Sequence, residues 1–284
     1  MDIYLVEAIV NGILLGGILA LLALGLNLIF GVIDVVWIAY ADIVMCGMYL
    51  IYVLYVVLGW PLPLAFLAAI FGLAGLGILV HLLIIEPILR SAPINQLLAT
   101  GGLLFFLQSF ATLLFGTDFR NIGVRLPVIE LGDIYISYAR LMAFVIALVG
   151  AVALYFFLKR TFIGTAIRAI AQDRDIIGLM GIDQRRVYLI TSMIGGALAG
   201  LAACLLALQY DVHPFIGNTF GPLIFMVCVL GGLGNMIGGF VAAFVISQII
   251  SIGGYYANTE ASYVLAFTLF IVLMFVRPRG ILTP

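Results

Sequence analysis

Side chains capable of catalysis are scarce in this chain of 284 residues, which contains two histidines, three cysteines and one lysine. Lys159 is followed by Arg160, so the Gly-Lys-Ser/Thr sequence of a phosphate-binding loop is missing. His81 and His213 lie on different segments and have no spacing typical of a zinc site. The cysteines are far apart in sequence, which disfavours a disulfide framework. We therefore predict a protein that is not an enzyme and binds neither metal nor cofactor itself.

Uncharged polar side chains are the next candidates for function. Five of them lie in or at the edge of long apolar runs: Asn11, Asn27, Gln108, Asn235 and Gln248. Such side chains could line a path for a small polar solute. They could equally form hydrogen bonds between packed membrane helices, so both interpretations stay open.

The segment 159–186 holds six of the twelve basic residues. Within 161–182, isoleucines recur at helical spacing on one side, whereas Arg168 and Gln172 lie on another. This pattern predicts an amphipathic helix outside the membrane, ended by Gly181 in a left-handed cap. The helix could rest on the membrane surface or fit into a socket of a partner protein.

A second group of charges lies in the predicted loop 116–139 and near two other helix ends. Its members are Asp118, Arg120, Arg125, Asp211 and Glu260. Alternation in residues 133–138 predicts a short β-hairpin in this loop. Charges of this kind set orientation and association rate more than affinity, so they could dock a soluble partner. A plain solvated loop explains them equally well.

Hydropathy determines the elements that must carry these residues. Hydrophobic residues make up 65% of the chain and charged residues 9%, and the mean hydropathy is +1.32. A spanning helix needs roughly 20 apolar residues to cross a hydrocarbon core about 30 Å thick. The charged residues leave seven charge-free runs, which are 8–33, 43–85, 91–117, 141–158, 187–210, 212–259 and 261–276. The two longest can each hold two crossings.

These runs are apolar on every face, so their backbone must bond internally as helices and not as barrel strands. We predict one all-α domain over 1–284, a polytopic membrane helix bundle with eight or nine membrane segments and one helix outside the membrane. The first run is too long for a signal peptide and should remain as an anchor. Nearly every charge falls at a predicted loop or helix end, so no carboxylate is expected at membrane depth.

The basic residues predict the orientation. Residues 159–186, together with Arg277 and Arg279, contain eight of the twelve basic residues and should face the cytoplasm. Five spans precede that segment, which places the N-terminus in the periplasm and the C-terminus in the cytoplasm. The glycine-dense stretch 230–239 should break the run 212–259 into a short helix pair, as two crossings or as a re-entrant hairpin. We expect nine passes, with the seventh and eighth short.

Small residues at four-residue spacing let membrane helices approach closely. This spacing occurs at Gly12 and Gly16, at Gly196 and Gly200, and at Gly234 and Gly238. The pattern favours tight packing within one subunit, and a subunit interface is the alternative.

Four stretches match one family in the right order. They are the first helix (Gly12–Gly17 and Gly25–Val32), the charged segment (Arg168–Arg174 and Gly178–Ile182), the glycine-rich stretch (Val229–Asn235) and the tail (Arg277–Gly280). Together they resemble the permease subunits of ABC importers of the branched-chain amino acid class, the LivH type. The resemblance covers nearly the whole chain.

The resemblance implies a subunit of a bacterial inner-membrane importer for a small polar solute, such as a branched-chain amino acid or a related amino acid or amide. The implied partners are a second permease (LivM-like, or a second copy of this chain), two ABC ATPase subunits that hold ATP and Mg²⁺, a periplasmic solute-binding protein and membrane lipid, with no nucleic acid. Contacts to the ATPases would come from Arg168, Gln172, Asp173, Arg174 and Gly181. A stand-alone secondary transporter or channel is the alternative, which the lack of membrane-depth carboxylates disfavours.

One stretch departs from the family pattern. Where the family usually reads Ile-Asn-Phe-Ala-His-Gly, this chain has Val36–Ala41, in which Trp37 and Tyr40 replace asparagine and histidine. Both are larger and more hydrophobic, and they offer different hydrogen bonds. We therefore add Trp37 and Tyr40 to the residues expected along the translocation path. Members of this class also carry urea and short amides, so the resemblance does not define the solute.

Overall fold

The computed structural model describes residues 3–124, 127–131, 134–172, 182–277 and 280. Almost all of them are helical, which confirms the predicted fold class. The helices are α1 (Ile3–Ile33), α2 (Tyr40–Tyr52), α3 (Leu62–Val80), α4 (Glu86–Ile88), α5 (Pro93–Phe115), α6 (Tyr138–Arg160), α7 (Phe162–Gln172), α8 (Gln184–Ala207), α9 (Ile216–Gly231), α10 (Met236–Tyr256) and α11 (Thr259–Val276). Two strands, β1 (Val128–Leu131) and β2 (Ile134–Ser137), form the antiparallel hairpin expected between α5 and α6.

Eight helical spans within the described residues are long and apolar enough to cross a membrane. Two of them include π-helical turns, Val53–Val57 after α2 and His81–Ile85 between α3 and α4. The seven charge-free runs therefore predicted the spans closely, because hydrocarbon thickness fixes the length of apolar sequence that a crossing requires.

The first helix forms the centre of the bundle. It packs most extensively against α10, and also against α6, α8 and α9, while α3 packs along α8. At the periphery, α5, α6 and α11 expose large apolar side chains, such as Phe105, Val149 and Phe275. A helix that is apolar on all faces suits contact with lipid on one side and protein on the other.

The glycine pairs bring helices together inside this chain. A Cβ atom on Gly200 of α8 would lie 2.7 Å from the Ile70 Cα atom of α3, closer than real contacts allow. Gly16 of α1 meets Phe244 and Ser247 of α10 in the same way. The packing within one subunit that the spacing favoured is therefore observed for these pairs.

A glycine turn separates α9 from α10, as predicted for the run 212–259. Gly232 and Gly234 have φ angles of 93° and 82°, a left-handed conformation that L side chains rarely adopt. Asn235 caps α10 by accepting a hydrogen bond from the Gly238 N–H at 3.0 Å. The expectation that both helices of the pair are short was wrong for α10, which has 21 residues, whereas α9 has 16.

The chain leaves the helical conformation between α1 and α2. Residues 34–39 are not helical, and Asp34 has a φ of 61°. This break lies against the protein interior, since Val35, Trp37 and Ala39 are all buried. The break sets the position of the start of α2 relative to α9.

The helix predicted in the segment 159–186 is present as α7. Its apolar face, with Ala166, Ile167 and Ile170, is buried, and the helix packs against α6, α1 and α8. The prediction extended this helix to 182, and residues 173–181 lie outside the described residues. After them, Asp183 caps α8 by accepting a hydrogen bond from the Arg185 N–H at 3.0 Å.

Candidate functional site

A cavity of about 620 Å³ lies where the break between α1 and α2 approaches α5 and α9. Its size falls within the range of roughly 300–1,000 Å³ that is usual for small-molecule sites. The lining is mostly apolar and is formed by Leu26, Val36, Trp37, Ile38, Tyr40, Ala41, Asp42, Leu97, Leu104, Gly217, Asn218, Gly221, Pro222, Ile224 and Phe225.

Trp37 and Tyr40, the residues that depart from the family pattern, both line this cavity. Trp37 is buried, and its indole N–H has no hydrogen-bond partner among the described residues. The Tyr40 hydroxyl donates a hydrogen bond to the Gly195 carbonyl of α8 at 3.3 Å. Any side chain at Gly25 would collide with the Tyr40 ring, so this glycine makes room for the larger residue.

Three polar side chains from three helices meet beside the cavity. The Gln108 amide of α5 donates hydrogen bonds to Asp42 Oδ1 of α2 at 3.0 Å and to Asn218 Oδ1 of α9 at 2.8 Å. Gly217 permits this meeting, because a Cβ atom there would lie 2.8 Å from Asp42 Cγ. We call Asp42, Gln108 and Asn218 the polar cluster.

Asp42 corrects the expectation that no carboxylate lies at membrane depth. It belongs to the span Tyr40–Val57 and is only 1% exposed, and its Oδ2 atom has no hydrogen-bond partner among the described residues. Sequence reasoning missed it because Asp42 immediately precedes the charge-free run 43–85, where a charge at the end of a membrane helix is expected. Asn218 was also missed, although it lies in the charge-free run 212–259 from which Asn235 and Gln248 were selected.

Of the four other residues expected along the path, three join neighbouring segments and Asn235 caps a helix. Asn27 Oδ1 accepts from the Gly234 N–H at 3.3 Å, and Asn235 caps α10 as described above. Gln248 of α10 donates to the Ile9 carbonyl of α1 at 2.9 Å. Asn11 accepts a hydrogen bond from Arg140 of α6 at 2.8 Å. None of these four lines the 620 Å³ cavity.

The predicted coupling residues divide into described and undescribed ones. Arg168 and Gln172 are exposed on α7, opposite its buried isoleucines. Asp173, Arg174 and Gly181 lie outside the described residues. The exposed face of α7 can therefore meet a partner protein without disturbing the packing of this subunit.

A second polar region lies where α4 meets the start of α8. Arg185 forms an ion pair with Glu86 at 2.6 Å. Further along the same span, the buried His81 lies with Nδ1 2.9 Å from the Ser192 hydroxyl. These contacts join two spans, which agrees with a structural role for His81.

The charged residues of the loop 116–139 and of the two nearby helix ends, which we call the rim charges, differ in their contacts. Arg120 donates to the Phe115 carbonyl at 2.6 Å and to the Tyr52 hydroxyl at 3.3 Å, and its backbone forms a β-bridge with Val212. Asp118, Asp211 and Glu260 are all exposed, and Asp211 also accepts a hydrogen bond from Asn121 at 2.7 Å. Arg125 lies outside the described residues.

His213 lies beside these loops, outside the membrane spans. Burial lowers the pKa of His213, and the Asp211 carboxylate opposes that effect in part. Its ring lies 4.6 Å from that of Phe119. The lowered pKa favours the neutral form of the His213 ring. Over the described ranges, no group of three or more His, Cys, Asp or Glu side chains has the arrangement of a metal site.

Comparison with known proteins identifies the family. A family model described as "Branched-chain amino acid transport system / permease component" matches residues 8–274. The chain is 28% identical to the high-affinity branched-chain amino acid transport system permease protein LivH of Escherichia coli K12, over 99% of this chain and 96% of that one. It is 29% identical to BraD of Pseudomonas aeruginosa, over 97% and 95%.

A more distant relative is a probable branched-chain amino acid transport permease protein LivH of Methanocaldococcus jannaschii. It is 24% identical over 95% of this chain and 90% of that protein. No solved structure gives a significant match. The family model spans nearly all of the bundle described above, and the chain therefore belongs to the family of branched-chain amino acid transport system permease components.

Proposed function

We propose that this subunit forms, with a second permease, the path by which an amino acid with an apolar side chain crosses the bacterial inner membrane. As a permease component it is a multi-pass transport subunit and not an enzyme. The observation that carries the proposal is the 620 Å³ cavity at the helix break, with apolar walls and one polar cluster. The names of the bacterial relatives support a branched-chain amino acid as the solute.

The proposed energy source lies in partner chains. Two ABC ATPase subunits would hold ATP and Mg²⁺ and contact the exposed face of α7 through Arg168 and Gln172. Asp173, Arg174 and Gly181, which lie outside the described residues, are proposed as further contacts to the ATPases. This face supports the proposal because α7 packs on α6, α1 and α8, so a displacement of α7 reaches three spans. Transport then follows from a shift between two packings of the bundle.

The proposed orientation places the N-terminus in the periplasm and the C-terminus in the cytoplasm, in keeping with the basic residues of 159–186. A periplasmic binding protein would deliver the solute to the opposite face. Asp118, Asp211 and Glu260 are the exposed charges available for that docking, whereas Arg120 bonds the Phe115 carbonyl and the Tyr52 hydroxyl.

The function is tested by reconstituting the complete importer into proteoliposomes. We expect uptake of labelled leucine that requires ATP, the binding protein and active ATPase subunits. Uptake by this chain without the ATPases, driven by a proton or sodium gradient, would instead establish the stand-alone transporter. ATP-dependent uptake of a solute that is not an amino acid would retain the permease role and reject the proposed solute class.

A further inference from the structure

The polar cluster contains one ionisable side chain, Asp42, whose carboxylate is hydrogen-bonded, within the described ranges, through only one of its two oxygens. Asp42 Oδ1 accepts from Gln108, but Oδ2 is buried and has no hydrogen-bond partner in the part of the chain that the structure describes. No Lys, Arg or His contributes to the cavity lining, and the ion pairs seen among the described residues involve other carboxylates. An ionised carboxylate buried in this way is costly unless a cation or further donors accompany it.

The neighbouring backbone adds a second acceptor without an intrahelical donor. Pro222 lies inside α9 and has no N–H group. The carbonyl of Asn218, four residues earlier, therefore lacks the hydrogen bond that an α-helix normally supplies. Asn218 and Pro222 both line the cavity, as Asp42 does. The cavity wall thus combines a carboxylate with a carbonyl that receives no hydrogen bond from Pro222, and both groups are hydrogen-bond acceptors.

The rest of the cavity wall is apolar. Leu97 and Leu104 of α5 and Ile224 and Phe225 of α9 are apolar and contribute to the same 620 Å³ space. A ligand that suits this cavity carries a cationic donor group at one end and an apolar body at the other. An ammonium group has three donors and one positive charge, which fit a carboxylate and a carbonyl.

We propose that Asp42 binds the ammonium group of the transported amino acid and that the apolar wall receives its side chain. This inference rests on the proposed function and adds to it a particular chemical group and subsite. Gln108 acts as a positioning residue, because it fixes Asp42 and Asn218 relative to each other without lining the cavity. Asn218 has its amide hydrogens available for the carboxylate of the solute.

The first experiment compares variants of the complete importer in proteoliposomes. Asp42→Asn keeps the shape and an acceptor for Gln108 but removes the charge, so leucine uptake should fall by about thirtyfold or more. Asp42→Glu keeps the charge and should retain more uptake than Asp42→Asn. Glu7→Gln removes the same charge from α1 outside the cavity and should leave uptake unchanged. Wild-type uptake by Asp42→Asn would overturn the proposal.

The second experiment needs no substitution and bypasses the binding protein. Equilibrium binding to the detergent-solubilised importer is compared for leucine, for 3-methylbutylamine, which lacks the carboxylate, and for 4-methylpentanoate, which lacks the amine. The two amines should bind, and the acid should bind at least about thirtyfold more weakly than leucine. Equal binding of leucine and the acid would overturn the ammonium subsite, even if Asp42→Asn fails to assemble.

The two proposals fail in different ways. If the wild-type importer transports no amino acid, the proposed function is wrong, whatever the variants show. If wild type transports leucine and neither the charge at position 42 nor the amine matters, only the ammonium subsite is wrong.

Discussion

The polar cluster and the exposed face of α7 use similar side chains in opposite surroundings. In the cluster, the Asp42 carboxylate of α2 and the Gln108 amide of α5 are buried and hydrogen-bonded to each other, and Gln108 also bonds the exposed Asn218 of α9. On α7, Arg168 and Gln172 remain exposed over a buried apolar face. Polar groups in the cluster therefore contribute to stability through their partners, whereas those on α7 are free to meet another chain.

This difference separates two ways in which a permease can be impaired. Loss of a partner in the cluster leaves a buried polar atom unsatisfied, which destabilises the subunit itself. Loss of a charge on α7 leaves the subunit intact and affects only what docks there. The three predictions below test this contrast in order of decreasing effect on stability.

The largest effect is expected on the buried side of α7. Ile167→Ala removes a side chain that is 1% exposed and should lower the free energy of unfolding by about 2–5 kcal/mol, because it leaves a cavity against the bundle. Ile163→Ala on the same helix, at 37% exposure, is the matched control and should cost much less. Unfolding of the purified subunit in detergent, followed by circular dichroism, measures both. Equal losses would show that α7 is not anchored through its apolar face.

An intermediate effect is expected in the polar cluster. Gln108→Leu leaves Asp42 Oδ1 and Asn218 Oδ1 without their shared donor and should destabilise the subunit by about 1–3 kcal/mol. The same change on α7, Gln172→Leu, should alter stability by no more than about 0.5 kcal/mol. Thermal denaturation of the two variants side by side gives the comparison. A larger loss for Gln172→Leu would reverse the roles assigned to the two regions.

Charge reversal at Arg168 and Asp173 should change stability least, and it should uncouple ATP hydrolysis from solute uptake. Reversing charge with Arg168→Glu and Asp173→Arg should leave membrane insertion and thermal stability near wild type, because Arg168 is exposed. ATP hydrolysis in the reconstituted importer should continue while leucine uptake is lost. If hydrolysis and uptake both stay at the wild-type level, the coupling role of this face is rejected.

The spans were predictable because their cause is local. The charge-free run 187–210 corresponds to α8 at 184–207, and 91–117 corresponds to α5 at 93–115, since a crossing requires a set length of apolar chain. The turn at Gly232 was also predictable, because the high density of glycine in residues 230–239 disfavours a continuous helix. The amphipathic pattern of α7 likewise identified its buried face.

The polar cluster was not predictable because its cause is tertiary. Asp42, Gln108 and Asn218 are separated by dozens of residues and meet only when the α1–α2 break turns α2 toward α9. Hydropathy treats Asp42 as the boundary of a run and cannot tell a carboxylate at a membrane surface from one enclosed by protein. For Asn11, Asn27 and Gln248 the sequence left two interpretations open, a path for the solute or hydrogen bonds between helices, and the structure shows hydrogen bonds to neighbouring segments.

The hydrogen bond from Tyr40 to Gly195 connects the cavity to α8, the helix that begins directly after the charged segment 159–186. Gly195 lies about 17 Å along α8 from its start at Gln184, where the chain emerges from the charged segment. A tilt of about 5° around that start would move the Gly195 carbonyl by about 1.5 Å, more than a hydrogen bond tolerates. A small rotation of α8 at its Gln184 end would therefore break the hydrogen bond that holds the Tyr40 ring in the cavity wall.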